Sequence, residues 1–260
     1  MRLAGEQALV TGSTSGIGKA IAVEFATQGA SVAVHGRNVE RGTTVVSQIE
    51  AAGGTAHFFP ADISIEAECQ ALIESAQGWA GGLTILVNNA VGGSLAGVET
   101  QDSKVGDMDT RHWESALRMN ATAPMWLSRA AIPHMRTAGH GSIINISSRQ
   151  AERPSGGLSA YAASKGAMNA LTRAIAVEYA GEGIRCNTIS PGYVLNERRD
   201  AEIEPERRKR FEGMHLTRLG EASDVAHAAV YLASQESGFL TGINLQLDGG
   251  SSIARALVIG

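Results

Sequence analysis

Two side chains four residues apart raise the first chemical question. The stretch Ser159-Ala160-Tyr161-Ala162-Ala163-Ser164-Lys165-Gly166 opens an Ala-rich segment with helical character. On an α-helix, positions i and i+4 lie on one face, a turn apart. The Tyr161 hydroxyl and the Lys165 amine can therefore converge on one point. A free phenol ionises near pH 10 and is a poor base at neutrality. A Lys ammonium ~5 Å away, at an effective dielectric of about 20, favours the phenolate by roughly 3 kcal/mol, some 2.4 pKa units. That moves a tyrosine towards the range where general acid–base catalysis is most effective. Alone, Tyr-x-x-x-Lys more often describes a core tyrosine beside a solvated lysine, so the rest of the chain has to discriminate.

A second cluster sits near the start. In Leu9-Val10-Thr11-Gly12-Ser13-Thr14-Ser15-Gly16-Ile17-Gly18-Lys19-Ala20, three glycines punctuate a strand-to-helix junction. Residues without Cβ allow positive φ and let a backbone approach a pyrophosphate closely. A helix starting near Gly16 offers unpaired N–H groups and partial positive charge to phosphate oxygens.

The elements that must hold these clusters alternate along the chain. Strand-like runs fall at Ala8–Val10, Ser31–His35, Thr55–Phe59, Thr84–Asn88, Ser142–Ile146, Arg185–Ile189 and Asn244–Leu247. Helical stretches lie between them near 17–28, 38–52, 65–79, 110–137, 160–181 and 222–234. This alternation predicts a Rossmann-type doubly wound α/β fold, a seven-stranded parallel sheet with helices on both faces. With 260 residues, 43% of them hydrophobic, and no repeat or linker, the chain is expected to be a single domain. The net charge of −4 gives no nucleic-acid footprint. No apolar run reaches the ~18 residues a membrane span needs, and no leader pattern opens the chain, so a cytoplasmic protein is expected. Cys69 and Cys186 are too few for a disulfide framework and form no metal cluster; reduced, buried thiols are expected, and no metal. Two stretches break the rhythm. Residues 90–109 are polar and Gly-rich, and long for a connection without function. Residues 196–213 carry six acids and six bases, which predicts a solvated, salt-bridged helix; the position after Pro191-Gly192 suits a substrate lid at about 192–215.

Read in order, the motifs resemble the short-chain dehydrogenase/reductase family, from about Ala8 to Gly250, with the 3-oxoacyl-carrier-protein reductase group as the nearest general likeness. Thr11-Gly12-x-x-x-Gly16-x-Gly18 is similar to that family's dinucleotide loop and Asn88-Asn89-Ala90 to its strand-four motif. Asn120, Ser148, Tyr161 and Lys165 fall where its catalytic tetrad lies, and Pro191-Gly192 and Asp248-Gly249-Gly250 complete the series. The resemblance implies hydride transfer between a nicotinamide cofactor and a carbonyl or secondary alcohol. Tyr161 would be the general acid/base and Ser148 would polarise the substrate oxygen. Lys165 would bind the ribose hydroxyls, and Asn120 would hold a water leading from Lys165 to solvent. Ser147, beside Ser148, is the competing hydroxyl. The cofactor set implied is Gly12, Ser13, Ser15, Gly16, Ile17, Gly18, Arg37, Asp62, Ile63, Asn89, Tyr161, Lys165 and Val194.

The second strand ends Val34-His35-Gly36-Arg37. Family members that use NAD usually carry an Asp at that end; here Gly36 stands there and Arg37 follows. An Arg can grip a 2′-phosphate in bidentate fashion, so NADP(H) is favoured and NAD(H) is the alternative. Against this, Ser15 occupies a glycine-loop position that is basic in many NADP-preferring relatives. Three departures bear on the substrate. Val91-Gly92-Gly93 follows Asn-Asn-Ala, the segment from there to Asn120 is long, and Asn196 replaces a Thr after Pro-Gly. Gln150 and Tyr193, with Ser148, are candidate substrate residues, and Arg153 a candidate anchor for an anion. Arg129, His134 and Arg136 could form a basic patch for an acidic carrier protein. By resemblance the chain would be a homotetramer or homodimer acting on a small molecule, its apolar tail Ala256–Gly260 serving an interface or packing home. Two other readings remain: a catalytically silent NAD(P)-binding regulator, and an NAD-dependent alcohol dehydrogenase of the same fold.

Overall fold

The computed structural model describes residues 1–91, 102–197 and 199–254. Seven parallel strands form one sheet: β1 (Gln7–Val10), β2 (Ser31–Gly36), β3 (Thr55–Pro60), β4 (Ile85–Asn88), β5 (Gly141–Ile146), β6 (Ile184–Pro191) and β7 (Asn244–Leu247). Their order is β3-β2-β1-β4-β5-β6-β7, with Leu9 opposite Ala33 on one side and Leu86 on the other. The predicted fold class is therefore the one observed.

Successive side chains leave a strand on opposite faces, and each face has its own core. Ala8 and Val10 join Ile21, Phe25 and Val225 on one side; Leu9 joins Leu72, Leu127 and Ile175 on the other. The first layer is built by α1 (Gly16–Thr27), α2 (Val39–Ala51) and α8 (Ala222–Ala233), the second by α3 (Glu66–Ala80), α5 (Ala123–Ala138) and α6 (Ser159–Tyr179). Both faces being covered explains the near-continuous apolar strands, as in Ile143–Ile146.

The strand order reverses between β1 and β4. Connections leaving those two strands therefore diverge to opposite faces, which opens a crevice at their carboxyl ends. The glycine loop leaves β1 there, and Asn89-Ala90 leaves β4.

Two helical expectations change in detail. The stretch near 110–137 is not one helix: α4 (Thr110–Leu117) passes through a π-helical turn, Arg118–Thr122, into α5. A π-turn rotates a residue off the regular helical face and often marks a functional position; Asn120 lies in it, fully buried. The charged stretch 196–213 is helical only over α7 (Pro205–Glu212), where Pro205 sits at the helix start and needs no intrahelical N–H partner. Arg208–Glu212 is its i,i+4 ion pair, at 3.0 Å. Of residues 90–109, those from 92 to 101 lie outside the described residues, as does the tail 256–260.

Candidate active site

The crevice is a cleft of about 550 Å³. One wall is backbone. Gly12 has φ +63°, and a Cβ there would come within 2.8 Å of the Ala90 Cα; at Gly18 it would meet the Gly12 carbonyl oxygen at 2.4 Å. The loop is tied down from three sides. Asn89 donates its side-chain amide to the carbonyls of Thr11 (2.9 Å) and Gly12 (3.1 Å). The Thr11 hydroxyl accepts the N–H groups of Asn89 and Ala90. Beneath, the buried His35 accepts the Gly12 N–H on Nδ1 at 3.1 Å while Nε2 faces the Ala61 carbonyl at 3.2 Å. Those partners select the neutral Nε2–H tautomer, and burial pushes the ring's pKa down to about 4. The loop is thus held by uncharged donors and acceptors.

Where α1 begins, Ser15 is extended and makes no side-chain capping bond, and the first turn holds no acidic residue. The N–H groups of that turn have no intrahelical partner. A glycine-rich cradle with unspent N–H donors fits a dinucleotide pyrophosphate. Past β2, Arg37 and Arg41 both line the cleft, and Arg41 Nε is buried with no hydrogen-bond partner among the described residues. Gly36 has no room for an acid: a Cβ there would lie 2.6 Å from the Thr14 methyl carbon.

The opposite wall is side chains from α6 and the β5 end. Tyr161 and Lys165 are 5% and 2% exposed. Lys165 Nζ donates to the Ile146 carbonyl at 2.8 Å and stands 5.8 Å from the Tyr161 ring centroid. Ser148 caps a short 3₁₀ turn by accepting the Gln150 N–H at 3.2 Å, and its hydroxyl stands beside the Tyr161 phenol, where it favours the ionised form. Ser147 instead donates to the Lys165 carbonyl, at 3.3 Å; the pleat of the chain leaving β5 turns the two serines to different partners. Asn120 lies behind this wall. Its amide donates to the Ser164 hydroxyl at 3.0 Å, which donates to the Tyr161 carbonyl at 2.8 Å.

The electrostatics depart from the helix-turn expectation. Desolvation pushes the Tyr161 phenol up to about 12, opposed by the neighbouring Ser148 hydroxyl and the charge of Arg199. Desolvation also lowers Lys165, to about 7. Removing both groups from water disfavours both charges, and this outweighs the attraction that alone would have drawn the phenol's pKa down. As the chain builds it, the pair favours a neutral phenol.

α6 receives help that its own sequence lacks. It has no side-chain cap and no acid in its first turn. Asp102, 59 residues before Tyr161, accepts the backbone N–H of Ala160 at 3.1 Å and of Tyr161 at 2.9 Å. The long connection after β4 thus returns a carboxylate to the positive end of the helix carrying the tyrosine.

Comparison with known proteins bears on the family and the fold. The sequence model of the family described as Enoyl-(Acyl carrier protein) reductase matches residues 12–252. The chain belongs to the short-chain dehydrogenase/reductase family. It is 38% identical to a 2,5-dichloro-2,5-cyclohexadiene-1,4-diol dehydrogenase of Sphingobium indicum, covering 97% of this chain and 98% of that one. It is 36% identical to a 7alpha-hydroxysteroid dehydrogenase of Escherichia coli, covering 96% and 95%. Among solved structures, a 3-oxoacyl (acyl-carrier-protein) reductase from Agrobacterium tumefaciens with NADP bound superposes with a TM-score of 0.88 at 31% identity, covering 95% and 94%. The family consists of NAD(P)-dependent oxidoreductases of alcohols and carbonyl compounds.

Within this dehydrogenase/reductase cleft, the structure gathers Gly12, Ser15, Gly16, Ile17, Gly18, Arg37, Asp62, Ile63, Asn89, Ser148, Tyr161, Lys165 and Val194. Other expected residues lie elsewhere. Ser13 is buried under the loop, donating to the Val10 carbonyl and accepting the His35 N–H; Thr14 takes its place in the wall. Gln150 spends its amide on Ser155. Tyr193 stacks on Phe211 at 3.9 Å between centroids and donates to Asp200 at 2.7 Å. Arg153 donates to the Ser252 carbonyl. Arg129, His134 and Arg136 form no basic patch, because they pair with Glu66, Glu74 and Glu182. Asn196 reaches the loop rather than standing off it: a Cβ on Gly16 would meet its Nδ2 at 2.5 Å. Both cysteines are free and buried. Among the described residues there is no metal-binding cluster and no helix long and apolar enough to cross a membrane.

Sequence reasoning missed His35, Arg41, Asp102 and Arg199. Arg41 left a signal, a second base in the first turn after the Gly36-Arg37 corner. Asp102 and Arg199 left none, since each looks like an ordinary charge in a polar loop.

Proposed function

We propose that the protein is an NADP(H)-dependent carbonyl reductase or secondary-alcohol dehydrogenase with Tyr161 as its general acid and base. The observation that carries this reading is the buried Tyr161, with Ser148 and Lys165 beside it, in one cleft with a glycine-rich loop. A bound nicotinamide dinucleotide supplies the hydride, to or from the carbon that bears the substrate oxygen. In reduction, Tyr161 gives its proton to that oxygen as the carbon gains hydride; the neutral phenol favoured by burial is the form required. Ser148 orients and polarises the same oxygen. Lys165, fixed by Ile146, presents its amine to the ribose hydroxyls, while Asn120 braces α6 from behind and continues the proton path. Asp62 and Ile63 border the adenine, Asn89 the adjacent ribose and Val194 the nicotinamide amide.

Two bases at the end of β2, one with an unpartnered buried Nε, favour a 2′-phosphate. A charge-assisted hydrogen bond is worth roughly 1.5–3 kcal/mol, about 10–100-fold in affinity. Free thiols fit a cytoplasmic setting. The exposed face of α6, with Ala163, Ala170, Ala174 and Val177, suits pairing into a homotetramer or homodimer.

A panel of ketones with NADPH and NADH, followed at 340 nm, tests the reading. Turnover is expected with NADPH preferred, and Tyr161→Phe should lose at least ~10²-fold in kcat. Near-normal activity of that variant would remove Tyr161 from its role; NADPH binding without turnover of any compound would mark a regulator instead.

A further inference from the structure

Arg199 has no part in the scheme above, yet it lines the cleft with Tyr161, Ser148 and Val194. Its side chain is 32% exposed. It is fixed from behind: Nε and Nη2 donate to the two oxygens of Asp200 at 2.9 and 2.7 Å, Nη2 also donates to the Val194 carbonyl at 2.8 Å, and the guanidinium lies 4.6 Å over the Tyr193 ring. Asp200 is itself engaged by further donors, the Tyr193 hydroxyl at 2.7 Å and the Asn196 N–H at 2.9 Å. None of the bonds that anchor Arg199 uses Nη1. The cation is therefore held rigidly while, among the described residues, the two Nη1 N–H donors have no partner, so little side-chain entropy remains to be lost on binding a ligand. Its charge reaches the phenol, since it favours ionisation of Tyr161. The only acid in the described cleft wall is Asp62, which lies beside Arg37 at the β2–β3 side; Asp200, the partner of Arg199, is 6% exposed and does not line the cleft.

We propose that Arg199 is a substrate-binding residue that selects carbonyl compounds carrying a carboxylate within reach of the carbonyl group. The inference rests on the reductase reading and names the substrate class of the same site. Nη1 is left for a carboxylate: it donates to the anion while Nε and Nη2 keep their hold on Asp200. Arg199 touches substrate and takes no part in proton or hydride transfer.

The test uses 4-acetylbenzoate and its near-isosteric neutral partner 4-acetylbenzamide, with wild type, Arg199→Gln and Arg199→Lys. Steady-state kcat/KM is measured with NADPH, and calorimetry gives the affinity of each compound for the protein saturated with NADP+. Wild type should prefer the carboxylate. Arg199→Gln should cut that preference ~10–100-fold, and Arg199→Lys, which keeps the charge but loses the paired bonds that fix it to Asp200, should retain an intermediate preference. Equal weakening of both compounds would overturn the assignment. So would an intact preference accompanied by a raised NADPH Kd, which would place the guanidinium on the cofactor phosphates. Calorimetry reads the preference without turnover. A wild type that binds the carboxylate selectively but reduces neither ketone therefore counts against the reductase reading and not against Arg199.

Discussion

The two walls of the cleft are made of different materials. The wall from β1, α1 and β4 is backbone: glycines at close approach, N–H groups at a helix start, and a neutral histidine and an asparagine spent on holding the loop. The wall from α6, the β5 end and the segment after β6 is side chains: Tyr161, Lys165, Ser148 and Arg199, with Lys165 held by the Ile146 carbonyl 19 residues away. A backbone wall recognises what every dinucleotide shares, and tolerates no added atom. A side-chain wall can be re-specified one residue at a time while its scaffold persists. Lys165 sits where the two walls meet, and burial makes it the least hydrated cation of the site.

The sharpest way to break this contrast is to add a side chain to the backbone wall. Gly12→Val would place a Cβ against Ala90 at a positive φ, a conformation costing on the order of 1–3 kcal/mol for a non-glycine residue before any steric clash. NADPH affinity should fall at least ~10-fold, read by fluorescence titration, with the fold retained by circular dichroism. Unchanged affinity would show that the loop is not the cradle.

At the seam, Lys165 makes stability depend on pH. Its folded pKa is lowered from 10.5 to about 7, so between those values the unfolded chain binds the extra proton. Stability of the dinucleotide-free protein should therefore rise with pH across that window, by up to about 1 kcal/mol per pH unit. Below pH 7 the full cost of burying the charge is felt. Tyr161, raised to about 12, works in the opposite sense only above pH 10. Urea midpoints at pH 7, 8 and 9 should climb, and Lys165→Met should flatten the climb; parallel curves for the two proteins would refute the buried cation.

The smallest effect belongs to the side-chain wall's distant support. Asp102→Ala removes the acceptor for two N–H groups at the start of α6. A lost cap costs about 1 kcal/mol, or roughly 2–4 °C in Tm for a chain of this size. With Tyr161 displaced, kcat should fall more than the KM for NADPH rises. A drop in Tm with unchanged kcat would limit Asp102 to stability.

Why one wall was legible in the sequence and the other only partly follows from the same contrast. Alternating apolar runs and glycine punctuation announce strands, helices and a strand-to-helix loop within a few residues of one another, because those features arise from local backbone geometry. The spacing of Tyr161 and Lys165 was legible for that reason, as was Ser148 at a strand end. The sequence could not show which of two charged neighbours points inward. Arg153 and Arg199 both follow a strand end closely, yet one is tied to Ser252 and the other lines the cleft. Likewise the phenol's ionisation, read from one lysine a turn away, reversed once both groups were found out of water.

The amino-acid order by itself determined the seven-stranded parallel architecture, the crevice at its switch point and the chemical types gathered there, since periodicity and glycine act locally. Tertiary structure alone decided the protonation preferences of Tyr161 and Lys165, the remote capping of α6 by Asp102 and the presence of Arg199 in the cleft. Desolvation and long-range hydrogen bonds depend on what packs around a group, and that is set by contacts between segments far apart in the chain.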